Sequence, residues 1–400
     1  MPWRITNVLD ERLRFIAQYL DGMLSMAELC RSFKISRKTG YKFVRRYAAY
    51  GPPGLCDLPS VPHHQPHAVP QEVQESIIAL RAAHPSLGPK KLRTNFIDQH
   101  PDLPWPAAST IGEILKRAGL VTPRKRHRHA QPSAPSSLTV PEAPQSVIAA
   151  DFKGQFPLRN GQPCFTLTVS DLFSRMLLRC QALARPGFDQ VYPVFVALFR
   201  QHGLPDVIRT DNGPPFASCA LGGLSRLAIW WIKLGIRPER IQPGHPEQNG
   251  RHERMHRTLK QEAISPPAPN LPAQQRAFDR FVDYYNYHRP HEALGQKTPA
   301  SLYTPSSRPY PLRLPLVGYP AAMKVRRVRH DGYIRWRGRM LFVSETLAGE
   351  PVGLDTLDDR LWILYFGPLA LAVLDAHTNT WLPAKRAAHI IEKLCQEDAD

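Results

Sequence analysis

The sequence of 400 residues is short of acidic residues, cysteines and long hydrophobic runs. Asp and Glu number 34 against 52 Lys and Arg, so the net charge is +18 and would attract a polyanion. The six cysteines include no C-x-x-C pair, so the sequence indicates neither a disulfide framework nor a zinc finger. The longest apolar run, residues 361–374, is interrupted by Gly367 and Pro368 and is shorter than the ~20 residues of a membrane span. We therefore expect a cytoplasmic protein with no membrane partner.

Proline, by contrast, is abundant, with 41 residues. It concentrates near residues 51–70, 123–144 and 305–320, where it prevents helices and central strands from continuing. These stretches predict a multidomain chain. Its predicted parts are a helix-turn-helix domain at 1–50, a second helix-turn-helix or winged-helix domain at 68–122, a basic Pro/Ser linker at 123–146, an α/β domain at 147–304 and a small β-barrel at 321–390.

The first part has the pattern of an all-α helix-turn-helix. A capping box at Ser25 opens one short helix, and Ser36 caps a longer helix after a tight turn. On the longer helix, we expect Tyr41, Val44 and Ala48 to form the buried face. The adjacent face would contact DNA in the major groove through Arg37, Lys38, Lys42 and Arg45. The alternative is a three-helix domain with a solvated basic face.

Two other basic segments lie outside the helical and α/β parts. The linker carries a run that could follow a DNA backbone or lie in a minor groove, formed by Arg124, Lys125, Arg126 and Arg128. A merely solvated run of charge is an equal alternative. In the last part, alternating segments predict strands, and Arg335 and Arg337 flank Trp336 in a hairpin. These two arginines could contact DNA, or the barrel could instead join subunits.

The α/β part follows the element order of a ribonuclease-H-like core. Three short apolar strands are followed by helix, strand, helix, strand and helix; the first three strands are predicted at 147–153, 164–170 and 175–181. The first and fourth strands are neighbours in this order. Asp151 lies within the first strand and Asp211 lies where the fourth strand ends, so we expect their carboxylates to converge at one edge of the sheet.

A third carboxylate, Glu253 in the first turn of the last core helix, would complete a cluster. Three close carboxylates repel one another, and they suit hard divalent cations that take oxygen ligands. Two such ions about 3.5–4 Å apart can activate an attacking oxygen and stabilise a leaving oxygen in phosphoryl transfer. Asp151, Asp211 and Glu253 are therefore the predicted catalytic residues and the predicted ligands of two Mg²⁺ or Mn²⁺ ions.

Short motifs in residues 147–303 carry a family resemblance. They are Ala150-Asp151-Phe, Thr210-Asp211-Asn-Gly, Trp230-Trp231, Pro246-Glu-Gln-Asn-Gly250 with Glu253, and Tyr285-Asn-x-x-Arg289-Pro-His-x-Ala-Leu294. Together they resemble the D,D,E integrase core of bacterial insertion-sequence transposases and, more distantly, of retroviral integrases. The resemblance implies a DDE transposase that uses a divalent metal to cleave transposon 3′ ends and join them to target DNA. Its partner would be double-stranded DNA at terminal inverted repeats and target sites.

Because two ends are joined, we expect a homo-oligomer, a dimer or tetramer on DNA, associated with the nucleoid. Two other classes of function stay open. One is a non-catalytic DNA-binding regulator that has kept the scaffold. The other is a ribonuclease-H-like nuclease that cleaves without joining ends.

Two glutamates compete for the third acidic position. Glu247 lies 36 positions after Asp211, which matches the spacing usual in much of the resembled family. Glu253 lies 42 positions after Asp211, but residues 214–225 make a longer connection than is typical there. The family's acid also follows the motif's glycine by three residues on a helix, as Glu253 follows Gly250. We therefore prefer Glu253.

Other polar residues near these acids have more ordinary assignments. Arg257 and Lys260 follow Glu253 on the same helix face and, with Asn212, are assigned to DNA contacts. We assign a third group to loop and phosphate contacts rather than to zinc, namely His245, His252 and His256. Asp171 is predicted to form a turn, and the Trp230-Trp231 pair is predicted to pack inside the fold.

Overall fold

A computed structural model describes residues 7–58, 68–121, 138–218, 221–242, 245–383, 386–387 and 389–391. Contacts divide the chain into two compact units, Met1–Ala68 and Val69–Asp400. In the described parts of both units, no helix is long and apolar enough to cross a membrane. The predicted basic run at 124–128 lies outside the described residues.

The first unit consists of three helices and a short 3-10 turn. The helices are α1 (Val8–Leu20), α2 (Met26–Ser32) and α3 (Arg37–Tyr50), and the turn is Pro52–Leu55. The capping box at Ser25 is confirmed, because its hydroxyl accepts from the Glu28 amide and the Glu28 carboxylate accepts from the Ser25 amide. Ser36 caps α3 by accepting from the amide of Thr39. The apolar core includes Phe15, Leu29 and Phe43.

The buried face of α3 differs from the predicted one. Gly40 and Phe43 are buried, whereas Tyr41 is 50% exposed and Ala48 is exposed. A Cβ at residue 40 would lie 2.6 Å from the sulfur of Cys30, so α2 and α3 approach closely at this glycine. Tyr41 lies four residues after Arg37 and four before Arg45, so it shares the helix face of these exposed cations, whereas the core contacts come from Gly40 and Phe43. Tyr41 shares the exposed surface of α3 with Arg37, Lys38, Lys42 and Arg45.

The second unit begins with three more helices. They are α4 (Gln71–Ala83), α5 (Pro89–Gln99) and α6 (Ala108–Arg117). Their apolar cluster includes Ile77, Leu92, Ile111 and Leu115. Residues 68–121 contain no strand, so their structure shows helices without a wing. A second DNA-binding function for this part stays a prediction.

A five-stranded sheet forms the centre of the α/β part. Its strands are β1 (Val147–Pro157), β2 (Pro163–Asp171), β3 (Leu177–Leu183), β4 (Val207–Thr210) and β5 (Arg237–Arg240). The strand order is β3-β2-β1-β4-β5, in which β1 is antiparallel to β2 and parallel to β4. The predicted ribonuclease-H-like order of elements is confirmed, and β1 and β4 are neighbours as expected.

Helices cover both faces of this sheet. They are α7 (Phe188–His202), α8 (Arg226–Lys233), α9 (Gly250–Leu259) and α10 (Leu271–Asp283), and π-helical turns at Lys260–Ile264 and Tyr284–His288 extend the last two. Phe195 of α7 and Trp231 of α8 pack in one apolar cluster, and Leu259 and Phe278 pack in another. Trp230 and Trp231 are buried, which confirms that this pair packs inside the fold.

The C-terminal strands do not form the predicted barrel. The strands β6 (Lys324–Arg327), β9 (Pro351–Thr356), β10 (Leu361–Phe366), β11 (Leu369–Asp375) and β12 (Thr380–Trp381) make an open sheet, while β7 (Tyr333–Trp336) and β8 (Arg339–Phe342) pair as a separate hairpin. Trp336 of the hairpin, Leu364 of the sheet and Ile232 of α8 share one apolar cluster. The sheet is therefore covered by the hairpin and a core helix instead of closing on itself.

Candidate functional site

The sheet brings two of the three predicted acids together. Ala150 of β1 is paired in parallel register with Thr210 of β4, so Asp151 and Asp211 follow at matching positions on neighbouring strands. The Asp151 side chain is 14% exposed. Burial, together with the nearby Asp211 carboxylate, raises the pKa of Asp151 to about 6, although the hydrogen bond from Asn249 acts in the opposite direction. The pair therefore concentrates negative charge at one edge of the sheet.

Asn249 holds the Asp151 carboxylate. It ends a 3-10 turn, Pro246–Asn249, that leads into α9, and its Nδ2 donates to Oδ2 of Asp151 over 2.6 Å. The sequence motif around Gly250 contains Asn249, but nothing in the sequence pairs this amide with a carboxylate 98 positions earlier. Asn249 is thus a site residue that the sequence interpretation missed.

A tight turn fixes Asp211 at the end of β4. The Gly213 amide donates to Oδ1 of Asp211 over 3.1 Å, and a Cβ at Gly213 would lie 3.2 Å from the other carboxylate oxygen. The next residue, Asn212, donates from Nδ2 to the carbonyl of Ile241 over 2.8 Å. Asn212 therefore joins the end of β4 to the segment that follows β5. Its predicted DNA contact stays a prediction.

Two histidines of α9 are buried, which contradicts their predicted contacts to phosphates. His252 and His256 are buried, and their Nε2 atoms lie 3.1 and 2.7 Å from the hydroxyl of Thr168 on β2. Burial lowers the pKa of His252 to about 4 and that of His256 to about 2, so both rings are neutral at pH 7. The hydroxyl of Thr168 also lies 3.1 Å from the carbonyl of Asp151. These contacts attach α9 beside Asp151.

Replacing Thr168 with Val should therefore destabilise the second unit. Valine keeps the shape of the side chain but leaves buried imidazole nitrogens without their partner, at a cost of about 1–3 kcal/mol. Urea unfolding measures this change. A matched control is Thr166→Val on the same strand, because among the described residues the buried hydroxyl of Thr166 has no hydrogen-bond partner. Equal stability of the two variants would contradict the role given to Thr168.

The third predicted acid is not gathered with the other two. Glu253 lies in the first turn of α9 and is exposed. In the parts of the chain that the structure describes, no group of three His, Cys, Asp or Glu side chains is arranged to hold a metal ion. The side chain of the alternative, Glu247, lies outside the described residues. The choice between the two glutamates stays a prediction.

Most of the predicted DNA-contacting side chains that the structure describes are on the surface. Arg257 and Lys260 are exposed near the C-terminal end of α9. Arg335 and Arg337 are exposed on the C-terminal hairpin, on either side of the buried Trp336. Their exposure is compatible with contacts to a polyanion.

Comparison with known proteins assigns these parts to known domains. Two models of the integrase core domain match residues 141–246 and 234–299, and a helix-turn-helix domain model matches residues 11–60. A 31.7 kDa protein of insertion element IS407 from Burkholderia multivorans is 31% identical over 194 residues, which are 48% of this chain and 66% of the relative. A 39.2 kDa protein of insertion element IS476 from Xanthomonas euvesicatoria is 27% identical over 246 residues, or 59% of this chain and 66% of the relative.

The chain therefore contains an integrase core domain and a helix-turn-helix domain, and it is similar to proteins of bacterial insertion elements. The alignments span just under two thirds of the length of the two insertion-element relatives. Among solved structures, the HTLV-2 integrase catalytic core domain in complex with magnesium is similar at 17% identity, with 40% of this chain and 98% of that chain covered and a TM-score of 0.33. The simian T-cell lymphotropic virus intasome is similar at 17% identity over 74% of this chain and 97% of that chain, with a TM-score of 0.36.

Proposed function

We propose that this protein binds the terminal inverted repeats of a transposon, cleaves their 3′ ends and joins them to target DNA. The observation that carries the proposal is the position of Asp151 and Asp211 at adjacent strand positions within an integrase core. The helix-turn-helix unit supports the DNA-binding part, because α3 presents its cations to solvent.

Divalent metal fits the residues at this edge of the sheet. Asp151 and Asp211 supply hard oxygen ligands, and burial, which raises the pKa of Asp151, disfavours its negative charge unless a cation lies beside it. We propose that these two residues and Glu253 hold two Mg²⁺ or Mn²⁺ ions. When bound, such ions activate the attacking oxygen and stabilise the leaving oxygen of the phosphoryl transfer. Asn249 and the Thr168 contacts then keep Asp151 and α9 in position.

Glu253 reaches this centre from α9 in our proposal. It follows Asn249 by four residues, so the two side chains lie on the same side of adjacent helical turns. Asn249 contacts Asp151 directly, which places the start of α9 against the acid pair. Because like charges repel, a third carboxylate is stabilised beside two others only when cations lie between them.

The DNA itself would be held by cations on several parts of the chain. We propose that Arg37, Lys38, Lys42 and Arg45 contact the inverted repeat, and that Asn212, Arg257 and Lys260 contact phosphates near the acid pair. Further contacts would come from Arg124, Lys125, Arg126, Arg128, Arg335 and Arg337. Since two ends are joined, the active form would be a dimer or tetramer on DNA, associated with the nucleoid.

Replacing Arg45 with Ala should weaken binding to end-containing DNA and lower its dependence on salt. Each phosphate contact contributes about 0.9 to the slope of log affinity against log salt, so losing one contact should reduce that slope by about 1. Fluorescence anisotropy with labelled DNA measures both quantities. A matched control is Arg14→Ala on α1, whose side chain is 51% exposed and pairs with Glu11. Equal slopes for the two variants would indicate a merely solvated face on α3.

The proposed function is tested by sequencing the DNA that flanks the coding region and footprinting the protein on it. We expect terminal inverted repeats that the protein protects, and metal-dependent cleavage at their 3′ ends. Protection without any cleavage would instead indicate a DNA-binding regulator. Cleavage without joining would indicate a nuclease with the same core.

A further inference from the structure

A small cavity lies beside α9, separate from the acid pair. Its volume is about 70 Å³, and it lies between α9, the turn from β2 to β3, α5 and the segment after the Tyr284–His288 turn. The residues of α9 that line it include Arg251 and Arg254, whereas His252 and His256 of the same helix contact Thr168. The helix therefore presents different residues to the acid pair and to this cavity.

Five cations surround the cavity: Lys91, Arg175, Arg251, Arg254 and Arg289. Among the described residues, only Arg289 forms a side-chain ion pair, at 3.4 Å from Glu262. Burial and the neighbouring Arg289 lower the pKa of Lys91 to about 8, although Glu292 and Glu262 act in the opposite direction. Burial and the neighbouring Arg251 likewise lower the pKa of Arg175. The positive charges therefore repel one another, and among the described residues four of the five cations have no carboxylate within ion-pair distance.

The nearby carboxylates already have partners. Asp171 lines the cavity, but its Oδ1 accepts from the Gln145 amide and its Oδ2 accepts from the amide and hydroxyl of Ser174. These bonds confirm that Asp171 is a turn former. Glu262 accepts from the hydroxyl of Ser86 and pairs with Arg289. Neither carboxylate is available to neutralise the other four cations.

Two buried polar side chains and one unusual backbone conformation indicate that the fold preorganises this cavity for a ligand. Arg289 and His291 are 4% and 7% exposed, and Nε2 of His291 is buried without a hydrogen-bond partner among the described residues. Arg175 has φ of 63°, a left-handed conformation that is uncommon for residues other than glycine. The turn from β2 to β3 thus holds an arginine at the cavity in a conformation that costs free energy.

We propose that this cavity binds a phosphate group, and that the DNA backbone supplies it. Arginine presents a planar fork of donors that matches the oxygens of a phosphate. The volume of about 70 Å³ exceeds the roughly 30 Å³ share of one water and has room for a single tetrahedral oxyanion. The exposed Arg251 and Arg254 leave the site open to solvent on one side. The inference that DNA supplies the phosphate rests on the proposed function. The inference that the cavity binds an anion does not depend on it.

Thermal unfolding of the full chain in phosphate and in chloride, at equal ionic strength, tests the anion site. A ligand that binds only the folded state raises Tm, and we expect a rise of roughly 2–4 °C in phosphate. Arg254→Gln and Arg175→Gly should each lose most of this rise; glycine adopts the left-handed conformation without strain. The control is Arg280→Gln on α10, which is exposed and does not line the cavity, and should keep the full rise. The proposal is overturned if phosphate and chloride give the same Tm in the unsubstituted protein.

Binding of end-containing DNA then identifies the source of the phosphate. If DNA supplies it, Arg254→Gln should reduce the slope of log affinity against log salt by about 1, and Arg280→Gln should leave the slope unchanged. An unchanged slope together with a lost thermal response would overturn DNA as the source and support free phosphate as the ligand. The rise in Tm in phosphate does not depend on catalysis. It therefore tests the anion site even if the protein has no strand-transfer activity.

Discussion

Asp211→Asn should lower the rate of strand transfer by about 10³-fold or more, without unfolding the protein. Asparagine has the same shape as aspartate and can still accept the hydrogen bond that the Gly213 amide donates. It removes the charge that we propose holds a divalent cation, and a 10³-fold loss corresponds to about 4 kcal/mol of transition-state stabilisation. The rate of joining of end-containing DNA in Mg²⁺ measures the loss.

The matched control for this substitution lies at the other end of the same strand. Asp206 immediately precedes β4, is exposed and pairs with Arg308 at 2.9 Å. Asp206→Asn should therefore change the rate of strand transfer by less than about threefold, since exposed ion pairs contribute little to stability. Affinity for end-containing DNA should be retained in both variants. Full activity of Asp211→Asn would remove this residue from the catalytic centre.

Glu253→Gln should cause a loss as large as that of Asp211→Asn, whereas Glu247→Gln should leave most of the activity. Glu253 lies in the first turn of α9, one turn after Asn249, which contacts Asp151. In our proposal its side chain joins the acid pair from there. Because Glu253 is exposed, its substitution should change the free energy of unfolding by less than about 0.5 kcal/mol. Joining assays and urea unfolding of both variants separate a catalytic loss from a structural one.

The two substitutions also serve as each other's control, because each removes one charge and keeps a side chain of the same length. Loss of activity in Glu247→Gln with full activity in Glu253→Gln would reverse the assignment. It would also mean that the third acid is identified by its spacing from Asp211, which selects Glu247. Its position three residues after Gly250, which selects Glu253, would then not identify it. Equal losses in both variants would indicate that the loop and the helix both contribute to the centre.

The acid pair could be predicted because it depends on local patterns. Apolar strands of a few residues place Asp151 and Asp211, and the order of elements makes their strands neighbours. The structure confirms that pairing through Ala150 and Thr210. The Asp171 turn was predictable for the same reason, since its partner Ser174 is three residues away.

The contacts around α9 could not be predicted from local patterns. Thr168 meets His252 and His256 across 84 and 88 positions, and such a match depends on how a helix packs against the sheet. In the sequence, the two histidines lie in a helix rich in arginine, which favoured a surface assignment. Packing alone determines that they are buried and neutral.

The packing of the C-terminal strands could not be predicted from local patterns either. Alternating residues predict that one face of a strand is buried, but they do not determine what covers that face. In a closed barrel the first and last strands would pair. Here Trp336 and Ile232 cover the sheet from a hairpin and from a core helix, and within the described part of the chain its edge strands β6 and β12 do not pair with each other.

The most direct test of the proposed function is a joining assay with the unsubstituted protein, DNA that carries the flanking ends, and target DNA, in Mg²⁺ and in EDTA. We predict joined products in Mg²⁺, none in EDTA, and none with Asp211→Asn in either condition. Joining that persists in EDTA, or in Asp211→Asn with Mg²⁺, would contradict a metal-dependent centre at Asp151 and Asp211.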